Sequence, residues 1–257
     1  VLVAHRGGAK SATRDEARPP APLQDFPAVA RLGRILSIAL ITAGVFVLAD
    51  VAVTLLYREP VSSVYGAMQQ NAAADQLSDL ESSYPSPADR RAIAGVAGVQ
   101  RRVAILSRRF AARAGEGDAI GRIVVPAMDG LNAVMVQGTD SASLQKGPGH
   151  YPQTPFPGEG GTVGIAGHRT TYLAPFRHID SVKRGNAIRL EMPYATLVYR
   201  VQRTRIVDPG DVGVVRRVGY ERLVLSACDP LYSAAHRFIV FARLARTRLT
   251  GGAGPRG

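Results

Sequence analysis

Hydrophobic and polar positions divide this chain into three regimes. Residues 35–57 (ILSIALITAGVFVLADVAVTLLY) are apolar all round, with Asp50 the only charge. At 1.5 Å per residue the run predicts a helix of about 34 Å, enough to cross a hydrocarbon core of about 30 Å. Residues 58–86 and 88–110 read as Ala-rich helical stretches separated at Pro85-Ser86-Pro87. From residue 118 the pattern changes to short runs suited to strands, at 121–125, 133–136, 162–167, 187–192, 196–207, 222–227 and 237–244. The run 187–192 alternates cleanly, with Ile188, Leu190 and Met192 on one face and Arg189 and Glu191 on the other, which is the period of a strand with one buried side. Many short strands with Gly/Pro turns and few long helices predict a mainly β fold. A closed or nearly closed β-barrel fits this pattern better than a helix-layered parallel sheet.

These regimes give five segments: a disordered tail at 1–34, rich in proline (Pro19, Pro20, Pro22, Pro27); a transmembrane helix at 35–57; a helical linker at 58–117, ending in Gly115-Glu116-Gly117-Asp118; a β-barrel at 118–246; and a disordered tail at 247–257. Arg18, Arg31 and Arg34 precede the apolar run closely, whereas Arg58 is the only basic residue after it until Arg90. Positive-inside bias therefore predicts a single-pass protein of the cell membrane, N-terminus cytoplasmic and barrel outside. A cleaved signal peptide and a buried core helix are the competing readings of the run, and only the second leaves the remainder unexported.

Charge narrows the partners. The net charge is +12, carried by 29 Arg against 3 Lys, which points to nucleic acid or to an anionic surface. Zinc-ligand spacing, an aromatic-rich strand motif and a compact basic recognition helix are all missing, so nucleic acid is the poorer reading. The pairs Arg90-Arg91, Arg101-Arg102 and Arg108-Arg109 suit either a solvated face or one lying on anionic headgroups. His178 and Asp180 are near neighbours, but no acidic cluster suggests calcium, and no metal or organic cofactor is expected.

The single cysteine, Cys228, follows the apolar run 222–227 and precedes Asp229-Pro230, a pair that cannot continue a strand ladder. An exported chain with one Cys has no internal disulfide, so Cys228 is either a small apolar filler or a nucleophile held at a strand end. A nucleophilic thiol needs a basic neighbour. His5, His150, His178 and His236 are available, but His168 mirrors Cys228 by ending the run 162–167. Arg237 opens the last run nine residues after Cys228, so an intervening loop returns it to the same rim. A guanidinium there suits a developing oxyanion, although any one arginine or histidine is more often a solvated side chain.

The segment Gly167-His168-Arg169-Thr170-Thr171-Tyr172 with Ala174-Pro175-Phe176, the strand-end Cys 60 residues after the His, and Arg237-Phe238-Ile239-Val240 together resemble the sortase family, in a form similar to its class E. The resemblance covers about 121–244. It implies an eight-stranded barrel with Cys228 as nucleophile, His168 as acid/base and Arg237 as oxyanion stabiliser, and Ser226, Ala227, Arg169, Thr170 and Tyr172 facing the substrate. It also implies cleavage of a Leu-Ala-x-Thr-Gly-like signal between Thr and Gly through a thioacyl-enzyme. The partners would be surface proteins bearing that signal and an amine of cell-wall precursor or pilin. One departure stands out: the family's Thr-Leu-x-Thr-Cys is here Val224-Leu225-Ser226-Ala227-Cys228, which bears on signal specificity and turnover. A catalytically degenerate binding or scaffold protein is the alternative this departure supports. An L,D-transpeptidase fits less well, because its Ser-x-Gly-Cys context is Ser226-Ala227-Cys228 here.

Overall fold

The structure, a computed structural model, describes residues 27–56 and 60–250. The expected tails fall mostly outside the described residues, at 1–26 and 251–257. The chain divides into two compact units between Ala49 and Asp50.

Helix α1 (Pro27–Leu56) starts earlier than the apolar run alone implies. Its Arg31–Ala52 stretch has mean hydropathy 2.3 with none of it buried, so it is long and apolar enough to cross a membrane.

Among the described residues, three further helices lie in sequence between α1 and the barrel: α2 (Pro60–Ser83), α3 (Pro87–Ile93) and α4 (Val99–Ala111). The stretch expected as one helix over 88–110 is thus two, interrupted where Gly98 takes φ 84°, a conformation only glycine adopts cheaply. Ser86 and Asp89 form a capping box that starts α3. Asp89 also receives Arg109 from the last turn of α4 and Arg113 from just beyond it. Burial pushes its carboxyl up, but hydrogen bonds from Ser86, Arg109 and Arg113 outweigh that and hold it well below the usual carboxylate range.

The amphipathic α4 is where the expected linker departs most from the structure. Its Val103, Leu106 and Phe110 enter the same apolar core as the barrel. Phe110 packs among Tyr84, Tyr194 and Phe156 at ring distances of 5.1, 5.6 and 6.1 Å, and the Tyr84 hydroxyl donates to the Leu106 carbonyl at 2.6 Å. Tyr84, Val103, Leu106 and Phe110 of the segment expected as a linker therefore share one core with the barrel. Phe110→Ala is expected to destabilise this domain by about 3–5 kcal/mol, read as a lowered urea midpoint; a loss under about 1 kcal/mol would return the segment to linker status.

Among the described residues, eight strands close the barrel: β1 (Ala119–Val125), β2 (Leu131–Gln137), β3 (Gly149–His150), β4 (Thr162–Ala166), β5 (Ala187–Met192), β6 (Ala195–Val207), β7 (Arg222–Asp229) and β8 (His236–Leu249), with α5 (Ser141–Lys146) between β2 and β3. The order around the barrel is β1-β2-β3-β4-β7-β8-β6-β5, with β5 pairing back to β1. Pairs β2–β3 and β4–β7 are parallel and the rest antiparallel. Every expected strand is present; β3, two residues long, was not foreseen. Strand β8 continues through Leu249 against Ala195 of β6, so the residues expected to begin a tail at 247 are still in the sheet. Ile123, Ile165, Leu190, Leu197, Leu223, Leu225 and Val240 fill the interior.

Helix α2 is fastened by glutamines. Gln70 Oε1 accepts from the Val134 N–H at 2.9 Å and its Nε2 donates to the Val134 carbonyl at 3.0 Å. It satisfies the edge of β2 that the short β3 leaves unpaired, as buried backbone groups require.

Candidate active site

Strand β7 runs through Cys228 and Asp229 rather than ending before them. Cys228 lies directly opposite Arg237 of β8, and Asp229 opposite His236. Residues facing one another across an antiparallel pair project to the same side, so Cys228 and Arg237 share a face. Strand β4 runs parallel to β7 with Ala166 beside Ser226, and the ladder extends one bond further, from the Gly167 N–H to the Ser226 carbonyl at 3.1 Å. His168 and Cys228 each lie two residues past the Ala166–Ser226 pair, at the same level of the barrel. The topology thus brings Cys228 of β7, Arg237 of β8 and His168, just past the end of β4, to one rim.

Alternation along β7 sorts the neighbouring positions. Leu223, Leu225 and Ala227 point into the core, Ala227 with 3% exposure, whereas Val224 packs outside the barrel with Val207, Ile239 and Phe241. Ser226 and Cys228 share the outer side with Val224. Ala227 therefore does not face the substrate side as expected: strand period two turns it inward. Ser226 does face that side, lining a mainly apolar groove of about 390 Å³ with Val207, Val212, Val214, Val224, Ile239 and Arg237.

The segment 167–176 has a specific job at nearly every position. A Cβ on Gly167 would come within 2.7 Å of the buried Phe176 ring, so only glycine lets this turn close. The Phe176 N–H donates to the His168 carbonyl at 2.9 Å. Burial pushes the His168 imidazole below its ordinary value, which favours the neutral ring. Tyr172 lies against it, ring centroids 5.4 Å apart. Thr170 is half-buried.

Arg169 was expected to face the substrate, but it is 4% exposed. Its guanidinium donates to the Cys228 carbonyl at 3.2 Å, Asp229 Oδ1 at 2.7 Å, Asp180 Oδ2 at 2.9 Å and the Arg177 carbonyl at 3.4 Å. It is an internal strut tying the His168 turn to the end of β7, the use for which a planar fork of donors is suited. Asp229 and Asp180 went unforeseen in this role; the adjacency of Asp229 to the lone Cys was the available signal.

The other histidines lie elsewhere. His150 is buried, bonded to Gln137 at 2.8 Å and to the Pro155 carbonyl at 3.1 Å, and burial pushes its pKa down to about 4. His236 lies on the opposite face of β8 from Arg237, 3.4 Å from Asp208, and His178 is exposed. His5 is outside the described residues. Arg237 donates Nη1 to the carbonyls of Ala234 and His236, each at 3.0 Å.

A family model for the sortase domain matches residues 123–245. The SrtA sortase from Actinomyces oris, a solved structure, is similar at 30% identity with a TM-score of 0.51, covering 55% of this chain and 87% of that one. The chain belongs to the sortase family. Sortase D of Bacillus subtilis is 31% identical over 131 residues, 49% of this chain and 64% of that protein. Sortase SrtE1 of Streptomyces coelicolor is 28% identical over 141 residues, 49% of this chain and 38% of that protein. The likeness to SrtE1 agrees with the class E resemblance, and a likeness to a sortase D stands beside it. This sortase spans less than two thirds of the length of either curated relative.

Proposed function

We propose that this sortase is a membrane-anchored cysteine transpeptidase that cleaves a Leu-Ala-x-Thr-Gly-like sorting signal between Thr and Gly. It would pass the protein to an amine of cell-wall precursor or pilin. The observation that carries the reading is the convergence of Cys228, His168 and Arg237 on one rim beside an apolar groove. Helix α1 is the anchor, with the N-terminus cytoplasmic and the barrel outside.

Neutral His168 takes the Cys228 proton as sulfur attacks the Thr carbonyl, and Arg237 stabilises the oxyanion. The imidazolium then protonates the departing Gly amine, leaving a thioester on Cys228. In the second half-reaction the acceptor amine displaces sulfur and gives its proton to His168. Ser226, Thr170 and Tyr172 border the bound signal, while Arg169 and Ala227 act from within the fold. Because Ala227 faces the core, the threonine missing there removes no hydroxyl from the groove, whereas Val224, in place of the other, lines it.

Incubating the full chain in detergent with a Leu-Ala-x-Thr-Gly reporter and an amine should give transfer product, and Cys228→Ala should abolish it. Peptide bound but left intact by the unmodified chain would favour the scaffold.

A further inference from the structure

A second cleft, of about 350 Å³, lies between α2, the outer side of β1–β2 and the loop 172–178. Its walls include Asn71, Arg122, Asp129, Asn132, Tyr172 and His178, and it shares no lining residue with the apolar groove. Tyr172 joins it to the rim, since the same ring that borders the cleft lies 5.4 Å from the His168 ring.

The backbone at that junction is unusual. Tyr172, Leu173 and Ala174 take φ values of 50°, 65° and 45° in succession, left-handed conformations that residues with side chains rarely adopt singly, let alone three in a row. Such strain persists only where surroundings enforce it, and here α2 does so. The Tyr172 N–H donates to Ser62 Oγ at 3.3 Å, the Tyr65 ring meets Tyr172 edge-on at 6.2 Å, and a Cβ on Gly66 would come within 2.9 Å of the Tyr172 backbone. Helix and strained turn together hold an open, polar cleft one aromatic ring away from the imidazole.

Its walls carry both signs, Arg122 and Asp129, with no ion pair within 4.0 Å between them. Among the described residues, half-buried Arg122 makes one long side-chain hydrogen bond, to Asn132 Oδ1 at 3.5 Å. No carboxylate lies within 4.0 Å of it among the described residues, because its register partner Glu191 is held by Arg189 at 2.7 Å. A guanidinium so little used on a cleft wall suits a ligand carboxylate.

We propose that this cleft binds the acceptor of the second half-reaction, a short amine-bearing peptide whose carboxylate meets Arg122 while its amine passes Tyr172 to reach the thioester on Cys228. The inference rests on the transpeptidase reading. The amine nitrogen bonds to the thioester carbonyl carbon, the carbon–sulfur bond breaks, and the amine proton passes to neutral His168 and on to the departing thiolate. Entry from this side leaves the apolar groove to the acyl peptide. Triglycine, with a reach of about 10 Å, is a suitable probe.

The test uses the full chain in detergent with a Leu-Ala-x-Thr-Gly reporter, measuring hydrolysis and transfer to triglycine or to triglycinamide. Arg122→Ala should raise KM for triglycine about tenfold, leave triglycinamide unchanged and leave hydrolysis intact. Asn71→Trp, which fills the cleft from α2, should raise KM for both amines without slowing hydrolysis. Cleavage with acceptor KM unchanged in both variants, or cleavage with neither amine taken up, overturns this inference alone. Absence of cleavage by the unmodified chain overturns the transpeptidase reading and this inference with it.

Discussion

Arg237→Ala is expected to lower kcat for reporter cleavage by about 10²–10³-fold, with KM changed much less. This is the usual cost of removing one preorganised oxyanion donor, and it falls on kcat because the charge it meets exists only in the transition state. Arg237 stands directly opposite Cys228 and lines the groove. At rest its Nη1 is bonded to two carbonyls of its own loop, so the loop aims the guanidinium while its remaining donors stay available. Arg237→Lys keeps the charge but loses the fork, and should recover only part of the rate. A kcat within fivefold of the unmodified chain in Arg237→Ala would remove Arg237 from the chemistry.

Arg169→Met should lower kcat by about 10²-fold although Arg169 faces away from the groove. Its guanidinium fixes the Cys228 carbonyl and Asp229 relative to the turn that carries His168. Losing it leaves Asp229, 17% exposed at its side chain, without its cation, and frees both ends of the site to shift. A displacement of about 1 Å between reacting groups is enough for a loss of this size. Positioning is separable from bulk stability. The rate loss should fall on kcat rather than KM, unfolding should stay cooperative, and Arg169→Lys should restore part of the rate. Equal losses in every kinetic parameter, tracking the fraction unfolded, would make Arg169 a purely structural ion pair.

What was readable in advance follows from how local each signal is. Strands such as β5 and β6 declare themselves by alternation within the strand. Strand β3 does not, because its two residues, Gly149 and His150, are in the sheet only through the neighbours they happen to meet. The buried face of α4, not the helix, was masked by its arginines: the charge pairs dominate the segment, while the buried stripe of Val103, Leu106 and Phe110 is thin. Of those arginines, Arg109 turns out to neutralise the buried Asp89. Arg169 was expected to face the substrate, and its internal role was hidden because its two carboxylate partners lie 11 and 60 residues away in sequence. Ala227 was the avoidable miss. Extending β7 by one residue, through Cys228, makes period two sufficient to send Ser226 and Cys228 outward and Ala227 inward. The nearness of Cys228 to Arg237 was legible for a similar reason, since a strand, a short loop and a returning strand leave little freedom of register.

The most direct measurement is the intact mass of the full chain after brief incubation with a Leu-Ala-x-Thr-Gly peptide without an amine acceptor. The expected result is an added mass equal to the Thr-terminated acyl fragment (the truncated peptide acid less one water), mapped to Cys228 and released by hydroxylamine. Cleavage with no adduct, or an adduct that persists in Cys228→Ala, would contradict a thioester on that sulfur.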